Sequence, residues 1–437
     1  MVEQLAGFSF WELRFAEDGS PEDGAAITKF VAEIVAANPD DLFIFSHGWN
    51  NDPKTARTLY EGFFGEMRKL IDNSALTKRR AAKIAGAGVI WPSILWPDEE
   101  STGGAAGFGG GGAPVDLSKE LKKVFRSPAQ QKILAELLQL LARRQPNEHS
   151  LKDFKNKLGL LLGGSSISTH SPDNLEKQGL EAGDDKWREI FEALADQEAG
   201  GDSSGGAAGL GDAFGRLWDG AKGALRLATY WQMKDRAGVV GKSGLGPLVG
   251  QLYEKMPAMR VHLLGHSFGA RLVSYALAGL PHLAGGDKSP VKSLFLLQGA
   301  FSHFTFAEKL PFDATRKGDL AGMASRVDGP LLTTHSLKDL AVGSSYPLAS
   351  IVARQDAAKQ EDESYRWGAM GHDGAQAVNA ESAFLGKAGT QYGFKVGKWL
   401  NLDGNQVIVK GDPPSGAHSD IIHPHTAWAA LAAAGIV

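Results

Sequence analysis

Val261-His262-Leu263-Leu264-Gly265-His266-Ser267-Phe268-Gly269-Ala270-Arg271-Leu272-Val273 is the stretch that decides how this chain is read. Its first four residues are apolar enough to be a buried strand, with Arg260 just before them. From Ala270 the pattern is that of a helix, which Pro281 ends. Between the two stands Gly-x-Ser-x-Gly. A strand, this turn and a helix together predict a nucleophile elbow, a turn so tight that only glycine fits beside the serine, whose hydroxyl is lifted above the sheet. The five letters alone are weak in a chain of 437 residues with 55 glycines, so the flanking strand and helix carry the argument.

Outward from that turn, the rest of the chain alternates strands with helices. Residues 8–15 read as a strand and residues 25–37 as a helix with Ile27, Phe30, Val31, Ile34 and Val35 on one side. Leu42-Phe43-Ile44-Phe45 is a continuous apolar run, as in a parallel sheet covered on both faces. It leads straight into Ser46-His47-Gly48-Trp49-Asn50. A helix over 53–71 and a strand at 89–91 follow. Beyond the elbow, strands are expected at 293–297, 331–334 and 406–409, and a terminal helix at 424–434. This order predicts an α/β fold: a mostly parallel central sheet with helices on both faces.

After Pro97 the composition changes. Residues 103–112 are nearly all Gly and Ala, and 200–211 are similarly rich in small residues. Between them lie helical patterns at 117–141, 151–162 and 187–194, with an apolar stripe of Ile133, Leu134, Leu137, Leu138 and Leu141. The expected organisation is a core of residues 1–100 and 220–437 and a Gly-flanked helical, lid-like insertion over 101–219. Gly107, Gly109 and Gly112 match G-x-G-x-x-G, but in low-complexity sequence without the strand and helix a dinucleotide site requires.

Composition narrows the function. A net charge of -4 offers no field for a polyanion, so nucleic acid is not an expected partner. The absence of cysteine excludes disulfides, thiolate zinc sites and a cysteine nucleophile. No apolar run approaches the roughly 18 residues that span a bilayer. Glu3, Glu12 and Glu17 interrupt any basic-then-apolar leader, so a cytoplasmic protein is the expectation, with secretion left open. Oligomeric state is not legible in these residues.

Hydrolysis by a serine needs a nucleophile, a base, an acid that orients the base, and donors for the developing oxyanion. On Gly265-His266-Ser267-Phe268-Gly269 and His47-Gly48-Trp49, the chain resembles the α/β-hydrolase superfamily, and in it esterase- and lipase-like bacterial serine hydrolases with an HGW oxyanion strand. The resemblance covers residues 1–100 and 220–437. It implies that Ser267 is the nucleophile and that Gly265, His266 and Gly269 shape the elbow. The N–H groups of Phe268 and Trp49 are then the oxyanion donors. In that family the acid and the histidine follow the nucleophile along the chain. Asp339, after the strand at 331–334, is the expected acid, with Asp313 and Asp373 as alternatives. His418, in the loop Gly416-Ala417-His418-Ser419-Asp420, is the expected base; His423 is the alternative, and His425 falls in the first turn of the last helix. The His and Asp residues of this loop lack the helical spacing of a zinc site, so neither metal nor cofactor is expected. The implied activity is cleavage of a small-molecule carboxylic ester, one with an apolar acyl group fitting the insertion. An amidase, peptidase or thioesterase on the same scaffold is the rival, and a non-catalytic binding protein a further one.

Overall fold

The computed structural model describes residues 2–73, 75–77, 79–93, 117–162, 187–198, 210–281, 288–343, 368–412 and 415–437. The Gly-rich stretch at 103–112, with its G-x-G-x-x-G match, and residues 200–209 of the second stretch lie outside these. The core is a sheet of strands β1 (Glu3–Leu5), β2 (Phe8–Arg14), β3 (Asp41–Ser46), β4 (Ile84–Ile90), β5 (Arg260–His266), β6 (Val291–Leu297), β7 (Leu331–His335), β8 (Glu381–Phe384) and β9 (Trp399–Asp403). Their order is β1-β2-β4-β3-β5-β6-β7-β9-β8. Every pairing is parallel except β1 with β2. The strand before Ser267 is therefore central, between β3 and β6.

The apolar run of β3 explains how the sheet is covered. Leu42 and Ile44 enter one buried layer and Phe43 and Phe45 the other, because successive side chains leave a strand on opposite faces. On the first face lie the helices Gly24–Ala37, Leu210–Val239 and Phe268–Gly279, through residues such as Ile34, Ala228 and Leu272. The second face carries the helices Pro53–Asp72 and Pro424–Ala433, through Phe63 and Trp428. The α/β class and the mostly parallel sheet with helices on both faces are thus as expected.

Several strands differ from expectation, β8 and β9 being unexpected altogether. β1 is three residues long, too short to show alternation. β4 starts at Ile84 rather than 89, because Gly86 and Gly88 hide the pattern. Gly88 is required there: a Cβ would stand 2.4 Å from a Tyr60 ring carbon. The strand expected at 406–409 is instead a turn in which the N–H groups of Val407 and Ile408 both bond the Gly404 carbonyl. Its apolar character comes from Ile408, a fully buried plug in the second layer, and the sheet is completed by β9 and β8.

The helical pattern expected over 117–141 is two helices, Leu117–Val124 and Pro128–Arg143. Ser127 and Pro128 separate them, with the Ser127 side chain capping Gln130 N. Helices Glu148–Leu162 and Trp187–Glu198 follow. Leu134 and Leu137 are buried with Leu151, Phe154 and Trp218 in the same apolar layer that covers the sheet. The helix Leu210–Val239 crosses position 219 unbroken and widens into a π-type segment, Val240–Leu245, before the helix Gly246–Lys255. The wide turns press Gly241 onto the helix that follows Ser267, where a Cβ would be 2.0 Å from the Leu272 carbonyl oxygen. Among the described residues no helix is long and apolar enough to cross a membrane.

Candidate active site

β5 ends at His266, and the chain turns sharply at Ser267, whose backbone sits at φ 57 and ψ −123. Side-chain-bearing residues avoid this conformation, at a cost of about 1–3 kcal/mol. Three bonds hold it: Ser267 N–H to the Leu297 carbonyl at 3.1 Å, and the N–H groups of Ala270 at 3.1 Å and Ala300 at 3.3 Å to the Ser267 carbonyl. Gly269 lets the following helix settle on the end of β3, since a Cβ there would be 2.0 Å from the Ser46 oxygen. Gly265 allows the turn to close, a Cβ there meeting the Gly269 oxygen at 2.3 Å.

The loop after β3 comes directly against the serine. A Cβ on Gly48 would lie 2.6 Å from Ser267 Cβ and 3.1 Å from its Oγ. His47 braces this loop from behind. Its Nδ1 is 2.8 Å from the Gly48 oxygen and its Nε2 accepts from Trp91 N–H at 3.4 Å, so the network assigns the proton to Nδ1. Burial pushes its pKa down to about 4, which keeps the ring neutral. Asn51 Nδ2 donates to the Trp49 oxygen at 2.8 Å and to the Gly48 oxygen at 3.4 Å. The Gly48 carbonyl and the Trp49 N–H belong to one trans peptide and point in opposite directions, so fixing the carbonyl also fixes the N–H. Among the described residues neither Trp49 N–H nor Phe268 N–H donates to a protein acceptor, although Phe268 is fully buried. Unpaired N–H groups in such places are uncommon.

The loops after β7 and β9 are bonded to each other. Ala417 N–H reaches the Lys338 oxygen at 2.8 Å, and Ala341 N–H the Ser415 oxygen at 3.1 Å. This brings together Asp339 and His418. Asp339 is fully buried, and its Oδ2 lies 2.8 Å from His418 Nδ1. The second donor to Oδ2 is Gln298 Nε2, at 2.8 Å, while Oδ1 accepts Val342 N–H at 3.3 Å. On its other side the histidine loop is tied to the elbow: His266 Nε2 donates to the His418 carbonyl at 2.9 Å, and the two rings are 4.9 Å apart. Burial and the neighbouring His418 push the His266 pKa down to about 3, so it stays neutral. With His418 Nδ1 on the carboxylate, its Nε2 is the nitrogen left to accept a proton.

The alternative residues have other partners. His423 Nε2 is 2.9 Å from Asp420 Oδ1, and Asp420 Oδ2 accepts the N–H groups of Val409 and Lys410. His423 also precedes the terminal helix, its N–H bonding Thr426 Oγ1, and His425 lies in the first turn. Asp313 organises its own turn by accepting from the N–H and hydroxyl of Thr315. Asp373 lies between His372 Nδ1 at 2.6 Å and His303 Nδ1 at 3.1 Å. Those histidines hold its carboxyl far below the usual carboxylate range despite burial, and Asp373 in turn raises His372.

Two polar residues of the site escaped the reading of the sequence. Asn51 carries no motif beyond its place after His47-Gly48-Trp49-Asn50. Gln298 carries a faint one, a polar residue closing the apolar run of β6 just before Gly299. Tyr230 was hidden in a helical pattern; it packs on Phe268 at 4.8 Å and on Trp49 at 5.8 Å, beside both candidate oxyanion donors.

Compared with protein-family models, curated proteins and solved structures, the chain matches none.

Proposed function

We propose that this protein is a serine hydrolase of the α/β-hydrolase type that cleaves carboxylic esters through an acyl-enzyme on Ser267. In this reading His418 Nε2 takes the Ser267 proton as Oγ attacks the ester carbonyl. Asp339 holds the Nδ1 proton and stabilises the imidazolium. The Trp49 and Phe268 N–H groups receive the oxyanion, having no other acceptor among the described residues. His418 then returns the proton to the leaving alcohol, and water repeats the sequence to release the acid. One observation carries the proposal: the 2.8 Å contact of a fully buried Asp339 with His418, in a loop tethered to the residue before a strained serine. The aromatic group of Trp49, Tyr230 and Phe268 supports an apolar acyl moiety. Tyr230 reaches it from the long helix that leaves the insertion, which supports reading that insertion as a lid.

The same machinery would serve an amide or thioester, since it does not choose the leaving group. A fluorophosphonate probe separates an enzyme from a binding scaffold. Covalent labelling should occur at Ser267 and disappear in Ser267→Ala, whose turnover of p-nitrophenyl esters should drop by about 10⁴. An unlabelled Ser267, or a variant that keeps most of its esterase activity, would refute the serine mechanism.

A further inference from the structure

We propose that Gln298 is a positioning residue for the candidate catalytic acid, holding the Asp339 carboxylate where His418 can use it; this rests on the serine hydrolase reading. Gln298 Nε2 donates to Asp339 Oδ2 at 2.8 Å and to the Gly371 oxygen at 2.9 Å. Both acceptors lack a proton to give, so the amide can face them only with its nitrogen. Its Oε1 is consequently buried with no hydrogen-bond partner among the described residues. The backbone of the same residue is at φ 47, a left-handed conformation that a side-chain-bearing residue seldom adopts. Two unfavourable features thus meet in one fully buried residue, and what they secure is a second donor on the oxygen that meets His418.

The chemistry of that donor is specific. A carboxylate oxygen shared by an imidazole N–H and a neutral amide N–H is held in one orientation. A carboxyl group in place of the amide would compete for the proton. Among the described residues, the titratable groups that face the pair are His418, on Asp339 Oδ2 with His266 packed against it, and His372, whose charge interacts with Asp339 and which is itself paired with Asp373 and close to His335.

Gln298→Glu and Gln298→Met test the assignment, with kcat and KM measured on a p-nitrophenyl ester across pH. Glu keeps the length and shape, but sets two carboxyl groups in hydrogen-bond contact, which share one proton. While that proton is held, the new O–H replaces the amide donor. Once it leaves, the donor is lost and a second negative charge faces Asp339. The variant should therefore show a fall in kcat/KM on the alkaline side that wild type lacks, of about tenfold or more. Met fills similar volume without a donor and keeps the proposal testable if the Glu variant does not fold. It should lower kcat/KM by roughly 10- to 100-fold, chiefly in kcat. A Glu variant whose profile is the wild-type curve scaled by a constant, or a Met variant within about twofold of wild type, overturns the assignment. Fluorophosphonate labelling of the wild type separates the two levels. With Ser267 labelled and the Gln298 variants behaving like wild type, only the positioning role fails; with Ser267 unlabelled, both readings fall.

Discussion

Acid should destabilise this fold through two imidazoles that flank Ser267. His47 and His266 are buried, and their pKa values are pushed down to about 4 and about 3. In the unfolded chain each returns to roughly 6.5. Below that value the unfolded state binds more protons than the folded one, so stability falls as pH falls. The loss begins near the unfolded pKa and is complete only below the folded one. From about pH 7 to pH 5 an unfolded histidine becomes almost fully charged while the folded one stays mostly neutral, so each contributes about 2 kcal/mol of lost stability, about 4 kcal/mol together. The figure depends chiefly on the unfolded state, and so differs little between the two residues. Burial lowers His262 and His335 as well, adding loss in the same direction. His372 acts oppositely: Asp373 raises its pKa, so its stabilisation is full below the unfolded value and is lost as pH rises through the folded one. Urea unfolding followed by tryptophan fluorescence at the two pH values reads the sum, and His266→Asn should shrink the difference by about 2 kcal/mol. Equal or greater stability at the lower pH, or an unaltered pH dependence in His266→Asn, would refute the reasoning.

Other outcomes test the site directly. His418→Ala and Asp339→Asn should each lower kcat by about 10⁴, the latter by favouring the wrong imidazole tautomer. By contrast, His423→Ala should mainly cost about 1 kcal/mol of stability through its lost Asp420 contact; the reverse ranking in kcat would reassign the base. Gly48→Ala sets a methyl 2.6 Å from Ser267 Cβ and must shift the loop that bears the Trp49 N–H. A loss of roughly 100-fold in kcat with a folded protein is expected, and near wild-type turnover would remove that loop from the oxyanion site. Tyr230→Ala should raise KM for long-chain esters by about tenfold while sparing short ones. An unchanged chain-length preference would show that the aromatic group does not contact the acyl chain.

How much of this was legible follows from the range of the interactions. β3 and β5 are fully buried strands in a parallel sheet, so they appear as continuous apolar runs, and glycines mark the turn between β5 and its helix because backbone atoms approach there. The strand expected at 406–409 misled because one buried isoleucine mimics a short run. β4 was only partly visible because glycines stand where Tyr60 and Phe64 press against the sheet. Sequence alone also singled out Ser267, Asp339 and His418 as candidates, placing His418 ahead of His423 and Asp339 ahead of Asp313 and Asp373. That Asp339 and His418 meet is a matter of partners far away along the chain. Asp339 and His418 are 79 residues apart, and Gln298 reaches Asp339 across 41. By itself, then, the sequence determined the alternating elements and the serine turn, because apolar periodicity and glycine are local consequences of burial and backbone geometry. Which acid meets which imidazole, and which amide meets that acid, only the tertiary structure decided, because a hydrogen bond between loops depends on where the sheet brings their ends and leaves no trace in either loop alone.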